Sequence, residues 1–244
     1  MLSKNQIKLI LSLKQKKYRQ QHGLFVVEGI KTVNELLRSN LQLHQLYTTT
    51  LRFDVLDDLV TQITEAELKK ISFLKTPNAV LAVFKVPKSK PVDFSKLIVA
   101  LDDVRDPGNL GTIIRLCDWF GVKDLICSNA TVDCYNPKVI QATMGSITRV
   151  NVSYVDLEDT FINQNTIKFG AFMDGENVYE TNLPTSGILV LGNEANGISN
   201  KVESVISQRI SIPRFGDLQE TESLNVANAT AILLSEFKRR STGK

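Results

Sequence analysis

The sequence contains no long apolar stretch. Its longest uninterrupted hydrophobic run is Ala79–Phe84, far shorter than the roughly 20 residues that a membrane-spanning helix needs. The first residues also lack the apolar core of a signal peptide, because Lys14, Lys16 and Lys17 interrupt it. We therefore expect a cytoplasmic protein that does not cross a membrane.

Cysteine and histidine are scarce. The chain has three cysteines, Cys117, Cys127 and Cys134, and two histidines, His22 and His44. An odd number of cysteines at spacings that match no zinc motif argues against both a disulfide framework and a structural metal site. We expect no bound metal.

Charge is unevenly distributed along the chain. The net charge is only +3, yet residues 1–21 carry six basic side chains and no acidic one, and residues 238–244 carry four basic side chains and no acidic one. The region between these ends is therefore acidic overall. Basic ends suit contact with a polyanion such as nucleic acid, but they also keep proteins in solution. Charge alone leaves both interpretations open.

The hydrophobic pattern predicts two α/β domains. A basic leading helix is expected in residues 1–21, a small α/β domain in 22–86, and an extended linker in 87–91, where two prolines flank two lysines. In residues 92–244, apolar strands alternate with helices, which predicts a mostly parallel sheet covered by helices on both faces. Ligands bind at the carboxyl ends of the strands in such sheets.

Three segments that follow predicted strands are rich in glycine and polar residues. They are 101–115, 190–198, and 210–213 together with 222–231. Each has a local explanation when taken singly. Asn109 and Ser223 are both suited to capping a helix, and Arg115 is spaced to pair with Asp118.

Taken together and in order, the three segments resemble the motifs of SpoU-type, TrmH-like RNA 2′-O-ribose methyltransferases of the SPOUT superfamily. The motifs are Asn-x-Gly-x-x-x-Arg, Leu-Gly-Asn-Glu-x-x-Gly-Ile, and Ile-Pro followed by Ser-Leu-Asn-Val-Ala-x-Ala. The resemblance covers residues 97–240. Residues 23–31 also look like the start of the RNA-binding domain found in many of these enzymes, which is similar to ribosomal proteins that bind bent RNA stems. One departure is a longer segment at 214–221.

The resemblance implies a carboxy-terminal domain with a deep trefoil knot that binds S-adenosylmethionine. Knots are otherwise almost absent from proteins. The cofactor-binding residues implied by the motifs are Leu191, Gly192, Ile212 and Leu224. A glycine at 192 would let the ligand approach the main chain. We expect residues 92–244 alone to hold the whole cofactor site.

The resemblance further implies methyl transfer to a ribose 2′-hydroxyl, without a metal. The catalytic residues that it implies are Asn109, Arg115, Glu194, Ser223 and Asn225. A guanidinium resists deprotonation, so Arg115 is better suited to gripping the target phosphate and stabilising a developing alkoxide than to acting as a base. The RNA-binding domain favours ribosomal RNA over transfer RNA as substrate.

Other functions stay open at this point. A transfer RNA 2′-O-methyltransferase, or a non-catalytic RNA-binding protein with the same fold, would share most of these features. A nucleotide-dependent oxidoreductase is disfavoured, because Gly108 and Gly111 are wrongly spaced for a Gly-x-Gly-x-x-Gly turn.

The last predicted helix, 222–240, has two apolar faces. One contains Leu224 and Leu234, and the other contains Leu233 and Phe237. A helix with two apolar faces packs on its own sheet and on something else. A partner subunit suits the second face, in agreement with the homodimers that the resemblance implies, although an amino-terminal helix of the same chain is an alternative.

Overall fold

The computed structural model describes residues 1–49, 53–217 and 223–241; for residues 240 and 241 it describes the backbone only. Backbone proximity divides the chain into two compact units. The amino-terminal unit contains Met1–Lys88 and Asp133–Thr148, and the carboxy-terminal unit contains Ser89–Val132 and Arg149–Lys244.

The secondary structure alternates between helices and strands. The helices are α1 Lys4–Ser12, α2 Lys16–His22, α3 Ile30–Leu37, α4 Glu65–Ile71, α5 Pro107–Trp119, α6 Pro137–Thr143, α7 Leu157–Ile162, α8 Asn200–Glu203 and α9 Val226–Ser241, with 3₁₀ turns at Asp57–Leu59 and Ser146–Thr148. The strands are β1 Leu24–Glu28, β2 Leu43–Thr48, β3 Val60–Gln62, β4 Val80–Lys85, β5 Leu97–Leu101, β6 Asp124–Ser128, β7 Asn151–Val155, β8 Lys168–Asn177, β9 Gly187–Leu191 and β10 Gln208–Ser211.

The amino-terminal unit is built on a four-stranded sheet in the order β1-β4-β2-β3. Strand β4 runs antiparallel to β1 and β2, and β2 runs parallel to β3. Thr64 and Glu67 form a capping box at the start of α4. Ile10, Leu13 and Leu68 are buried in the core of this unit with side chains from its strands.

The leading segment forms two helices, α1 and α2, where a single helix is predicted. The carbonyl groups that become free where α1 ends need donors, and Nη1 of Arg19 donates to the carbonyls of Leu13 and Lys14 at 2.8 and 2.9 Å. Arg19 also pairs with Asp133 at 2.5 Å and is only 3% exposed. Arg19 is therefore a core residue of this unit, and counting it as a solvated cation of the leading helix is wrong.

Residues 133–148 pack in the amino-terminal unit, although the sequence places them within 92–244. The rings of Phe25 and Tyr135 lie 4.7 Å apart, and α6 packs against β1. Val139 and Ile140 of α6 are fully buried. The chain thus completes the core of its first unit with a segment from its second half.

The carboxy-terminal unit is a six-stranded sheet in the order β10-β8-β9-β5-β6-β7. All of its neighbouring strands pair in parallel, and every residue of β5 and β9 is buried. The predicted α/β architecture with a parallel sheet is confirmed. None of the helices in the described part of the chain is long and apolar enough to cross a membrane.

The last helix, α9, has both of its apolar faces covered within the carboxy-terminal unit. Leu233, Leu234 and Phe237 are all buried, and the ring of Phe237 meets Phe169 of β8 edge-on at 5.3 Å. The inference that Leu233 and Phe237 form a face left for a partner subunit is therefore wrong. Leu224 precedes the helix, which begins at Val226, later than predicted.

Candidate active site

The first motif segment lies between the carboxyl end of β5 and the first turn of α5. Asp106 caps α5 by accepting a hydrogen bond from the backbone N–H of Asn109 at 2.8 Å, and Pro107 occupies the first helical position, both common features of a helix start. The cap is therefore Asp106 and not Asn109. The side chain of Asn109 is left to bind elsewhere.

A chain of hydrogen bonds centred on Asn109 joins the three motif segments. The Asn109 Nδ2 group donates to Glu194 Oε1 at 2.6 Å, and Asn225 Nδ2 donates to Asn109 Oδ1 at 2.9 Å. The Oδ1 atom of Asn225 in turn accepts from the backbone N–H groups of Ala227 and Asn228 at the start of α9. This polar bridge, Glu194–Asn109–Asn225, connects residues more than 80 positions apart in the sequence.

The second motif forms a tight loop at residues 192–198. The backbones of Asn193 and Gly197 exchange two hydrogen bonds of 2.9 Å, and Gly197 has a left-handed φ of 69°. A Cβ on Gly192 would overlap the backbone of Gly197 and Ile198. The structural reason for a glycine at 192 is thus closure of the loop on itself, whereas the sequence suggests close approach of a ligand.

A pocket of about 980 Å³ lies beside this loop in the carboxy-terminal unit, within the size range of small-molecule sites. Several residues implied by the motifs line it, namely Leu191, Gly192, Glu194, Ile212, Ser223 and Leu224. The pocket combines apolar side chains with backbone groups of the 192–198 loop. Asn109 and Asn225 do not line the pocket; hydrogen bonds link them to Glu194, which does.

Some lining residues are not anticipated from the sequence. Phe172 and Met173 on β8 line the pocket, as does Phe215 after β10. The guanidinium of Arg209 lies 3.6 Å above the ring of Phe172 and pairs with Asp174 at 2.5 Å. The hydrogen bond to Asp174 is the main cause that raises the pKa of Arg209. Sequence reasoning does not reveal them because it does not show that β8 lies beside β9 in parallel. This pairing brings the carboxyl-terminal residues of β8 to the end of the sheet where the 192–198 loop lies.

Arg115 lies on the exposed side of α5 and is not among the described residues that line the pocket. It is six residues beyond Asn109, about 9 Å along the helix axis. Asp118, the partner suggested by local spacing, accepts instead from Arg149 at 2.8 Å, so the local alternative for Arg115 is wrong. Within the described ranges Arg115 has no hydrogen-bond or ion-pair partner.

The pocket offers both apolar and polar surface to a ligand. Leu191, Ile212 and Leu224 offer apolar surface, while Glu194 and the loop backbone offer polar groups. Residues 1–49, 53–217 and 223–241 contain no group of three or more His, Cys, Asp or Glu side chains arranged to hold a metal ion.

Two family profiles match the chain. That of the SpoU rRNA methylase family matches residues 96–235, more than half of the chain. That of the MRM3-like substrate binding domain matches residues 4–82.

Individual relatives match over nearly the full length. The 23S rRNA (guanosine(2553)-2′-O)-methyltransferase RlmP of Bacillus subtilis (strain 168) is 30% identical over 97% of each chain. A structure from Porphyromonas gingivalis, assigned to the TrmH family of RNA methyltransferases, is 41% identical with a TM-score of 0.89, covering 98% of this chain and 99% of that one. The AdoMet-bound rRNA methyltransferase of Sinorhizobium meliloti is 28% identical with a TM-score of 0.86, covering 98% and 96%. These matches confirm the resemblance carried by the three motifs, and the chain belongs to the SpoU rRNA methylase family.

Proposed function

We propose that this protein transfers a methyl group from S-adenosylmethionine to a ribose 2′-hydroxyl in structured RNA. The observation that carries the proposal is the polar bridge Glu194–Asn109–Asn225, which joins all three motif segments at the edge of one pocket. A fold that only bound RNA would not need these three segments to converge beside a cavity of cofactor size.

Ribosomal RNA is the favoured substrate class. The family profile is that of rRNA methylases, and the Bacillus subtilis relative is named for a guanosine of 23S rRNA. The match of residues 4–82 to a substrate binding domain supports an RNA-contacting role for the amino-terminal unit. An rRNA substrate is also consistent with the cytoplasmic location expected from the sequence, which cell fractionation would test.

The pocket would hold the cofactor through Leu191, Gly192, Ile212 and Leu224. Bound there, S-adenosylmethionine supplies an electrophilic methyl group on a sulfonium. The protein contributes apolar surface for the adenine and backbone groups of the 192–198 loop for the polar ends. The trefoil knot implied by the resemblance stays a prediction.

The residues around the pocket would position and activate the ribose hydroxyl. Alignment of oxygen, methyl and sulfur supplies part of the acceleration, and stabilisation of developing negative charge supplies another part. Ser223 and Glu194 line the pocket and would orient the ribose. Glu194 is bonded to Asn109 at 2.6 Å, which favours a role as an orienting acceptor.

Arg115 would act on the RNA beyond the pocket edge. An exposed guanidinium is suited to a bidentate contact with a phosphate. We propose that Arg115 grips the phosphate next to the target ribose and stabilises the alkoxide as it forms.

The basic residues before β1 would add affinity for RNA. The five lysines of this region, Lys4, Lys8, Lys14, Lys16 and Lys17, are all exposed. Each cation that neutralises a phosphate releases counterions, which makes binding dependent on salt.

We further propose a homodimer formed through the carboxy-terminal unit. Its support is Trp119 on α5, which is 84% exposed. Tryptophan is among the residues that are enriched in protein–protein interfaces relative to the rest of the surface. The α9 face that the sequence suggests for this role is covered within the chain.

The decisive experiment measures methyl transfer from labelled S-adenosylmethionine to ribosomal and transfer RNA, and maps 2′-O-methyl groups in a strain that lacks the protein. We expect one ribosomal 2′-O-methyl group to disappear. If a 2′-O-methyl group disappears from transfer RNA alone, the substrate is transfer RNA and not ribosomal RNA. Absence of cofactor binding by calorimetry would favour a non-catalytic RNA-binding protein.

A further inference from the structure

Both ends of the 192–198 loop are held by one buried residue, Asp102. The backbone N–H of Asp102 donates to the carbonyl of Leu191, just before the loop, at 2.9 Å. The Oδ2 atom of Asp102 accepts from the backbone N–H of Ser199, just after the loop, at 2.8 Å. Asp102 follows the last residue of β5 and is 6% exposed. A single residue next to a central strand thus fixes where the loop begins and where it ends.

The residue after Asp102 provides another tie to the same loop. Nδ2 of Asn193 donates to the backbone carbonyl of Asp103 at 2.8 Å. Asp103 has a φ of 57°, which is uncommon for a residue other than glycine. Its N–H donates to Ser128 Oγ at 2.9 Å, and its carboxylate accepts two hydrogen bonds from Arg105. The backbone that receives Asn193 is therefore itself held in place.

The hydrogen bonds inside the loop do not replace these ties. The paired backbones of Asn193 and Gly197 fix the shape of the turn, but they leave its position relative to the sheet to the loop ends. Gly192, Asn193, Glu194, Ala195 and Gly197 all line the pocket. If a loop becomes ordered only when a ligand binds, the lost conformational entropy lowers the affinity for that ligand. A loop that is already ordered avoids this cost.

We propose that Asp102 is a positioning residue that preorganises the 192–198 wall of the cofactor pocket through its hydrogen bond to the Ser199 N–H. The proposal rests on the assignment of S-adenosylmethionine to this pocket. Asp102 acts by accepting a hydrogen bond, so its effect does not depend on the positive charge of the cofactor. Removing this hydrogen bond should therefore weaken the binding of S-adenosylmethionine and of S-adenosylhomocysteine, which lacks that charge, to the same extent.

The test is calorimetry of the full-length protein with S-adenosylmethionine and S-adenosylhomocysteine. Asp102→Ala should weaken both ligands about tenfold, equivalent to about 1.4 kcal/mol, and raise the KM for the methyl donor while kcat at saturating donor stays near wild type. Asp102→Asn keeps an acceptor oxygen and should bind both ligands within about twofold of wild type.

A change on the donor side tests the same hydrogen bond independently of Asp102. Ser199 has a φ of −65°, which proline adopts. Ser199→Pro therefore replaces the N–H by a ring carbon that cannot donate to Asp102 Oδ2 and that crowds this oxygen. We expect a similar loss of affinity, and the loss in the double variant with Asp102→Ala should be less than the sum of the two. If Asp102→Ala fails to fold, Ser199→Pro against Asp102→Asn still decides the question.

Asp124 offers a matched control. It is also 6% exposed, begins the neighbouring strand β6, and accepts from Asn151 at 2.7 Å, at the opposite end of the sheet from the loop. Asp124→Ala should lower thermal stability and leave ligand affinity unchanged. Equal losses of affinity in Asp124→Ala and Asp102→Ala would overturn the proposal.

Other outcomes separate this proposal from the pocket assignment. If Gly192→Ala abolishes binding and Asp102→Ala binds like wild type, the pocket assignment stands and Asp102 has no positioning role. If neither variant changes affinity, the cofactor binds elsewhere and both fail. A loss confined to S-adenosylmethionine would assign Asp102 an electrostatic role and would likewise overturn the proposal.

Discussion

Among single residues, Asn109 shows how a local feature frees a side chain for the site. Asp106 takes the capping position of α5, so the side-chain amide of Asn109 is free to form hydrogen bonds with Glu194 and Asn225. The resemblance to the SpoU-type motifs implies that these three residues share a site. It does not predict that Asn109 lies between the other two, because the hydrogen bonds depend on how separate loops approach each other.

Arg115 provides a direct test of the proposed chemistry. Arg115→Ala should lower methyl transfer by about 100-fold or more, as for loss of a group that stabilises charge mainly in the transition state. Cofactor affinity should stay nearly intact, because Arg115 does not line the pocket. Single-turnover assays with calorimetry would measure both, and Arg115→Lys would separate a bidentate grip from charge alone. Normal turnover in Arg115→Ala would remove this residue from the mechanism.

Glu28, at the end of β1, should make the stability of the amino-terminal unit dependent on pH. It accepts from Ser72 Oγ at 2.5 Å and from the N–H of Phe73 at 2.8 Å, yet burial dominates and raises its pKa above the ordinary value. A raised carboxyl pKa favours the folded state below the unfolded value, and this stability is lost as pH rises through the folded value.

Glu28→Gln removes this titration while keeping an acceptor oxygen. The variant should therefore gain stability relative to wild type as pH rises from about 4 through the raised pKa. Denaturant unfolding at several pH values would measure the difference. A difference that does not change with pH would show that Glu28 does not titrate in this range.

At the scale of elements, the segment that contains α1 and α2 carries lysines that face solvent and one buried structural cation, Arg19. Replacing Lys14, Lys16 and Lys17 with alanine should weaken RNA binding and reduce its salt dependence. The log–log slope should fall by about 0.9 for each duplex phosphate that is no longer neutralised, and by less on single strands. Cofactor affinity should not change. RNA binding measured over a range of salt concentrations would test this, and an unchanged slope would exclude these lysines from the RNA interface.

Arg19→Ala is the informative comparison on the same helix. It leaves Asp133 without its guanidinium partner, and breaking a buried ion pair in this way costs about 3–5 kcal/mol of stability. We expect a lower unfolding midpoint with little change in the salt slope of whatever protein remains folded.

The elements themselves are largely predictable from the sequence, but their packing partners are not. Strands such as β5 and β9 are short apolar runs followed by glycine-rich motifs, so local sequence identifies them. The buried Arg19 pairs with Asp133, and the buried Phe237 contacts the ring of Phe169. Such contacts join distant parts of the chain, and no periodicity in one segment contains them. For this reason the sequence identifies the motifs correctly but predicts the leading helix and the dimer face wrongly.

At the scale of the whole molecule, the fragment 92–244 is expected to be less self-sufficient than the sequence suggests. It carries α6 without β1, which leaves Val139 and Ile140 uncovered. We expect it to aggregate or to melt well below the full-length protein. Val139→Ser with Ile140→Ser should make the fragment more soluble and the full-length protein less stable. Light scattering and thermal melts would show these opposite effects, and a stable, monodisperse unmodified fragment would contradict them.

The homodimer can be tested through Trp119. Light scattering should show a dimer at micromolar concentration, and Trp119→Glu should shift it toward monomer. Ile162 on α7, which is 63% exposed, supplies the control, since Ile162→Glu should leave the dimer intact. A wild-type monomer would refute the proposal, and a dimer that survives Trp119→Glu would move the interface elsewhere.

The pairing of Arg19 with Asp133, 114 residues apart, has a consequence for synthesis of the chain. When the first 88 residues have left the ribosome, the guanidinium of Arg19 still lacks its carboxylate and β1 still lacks helix α6. The amino-terminal unit cannot complete its packing until residues 133–148 have also emerged, after β5, α5 and β6. This protein therefore cannot finish folding its first unit before synthesis of the second is well under way.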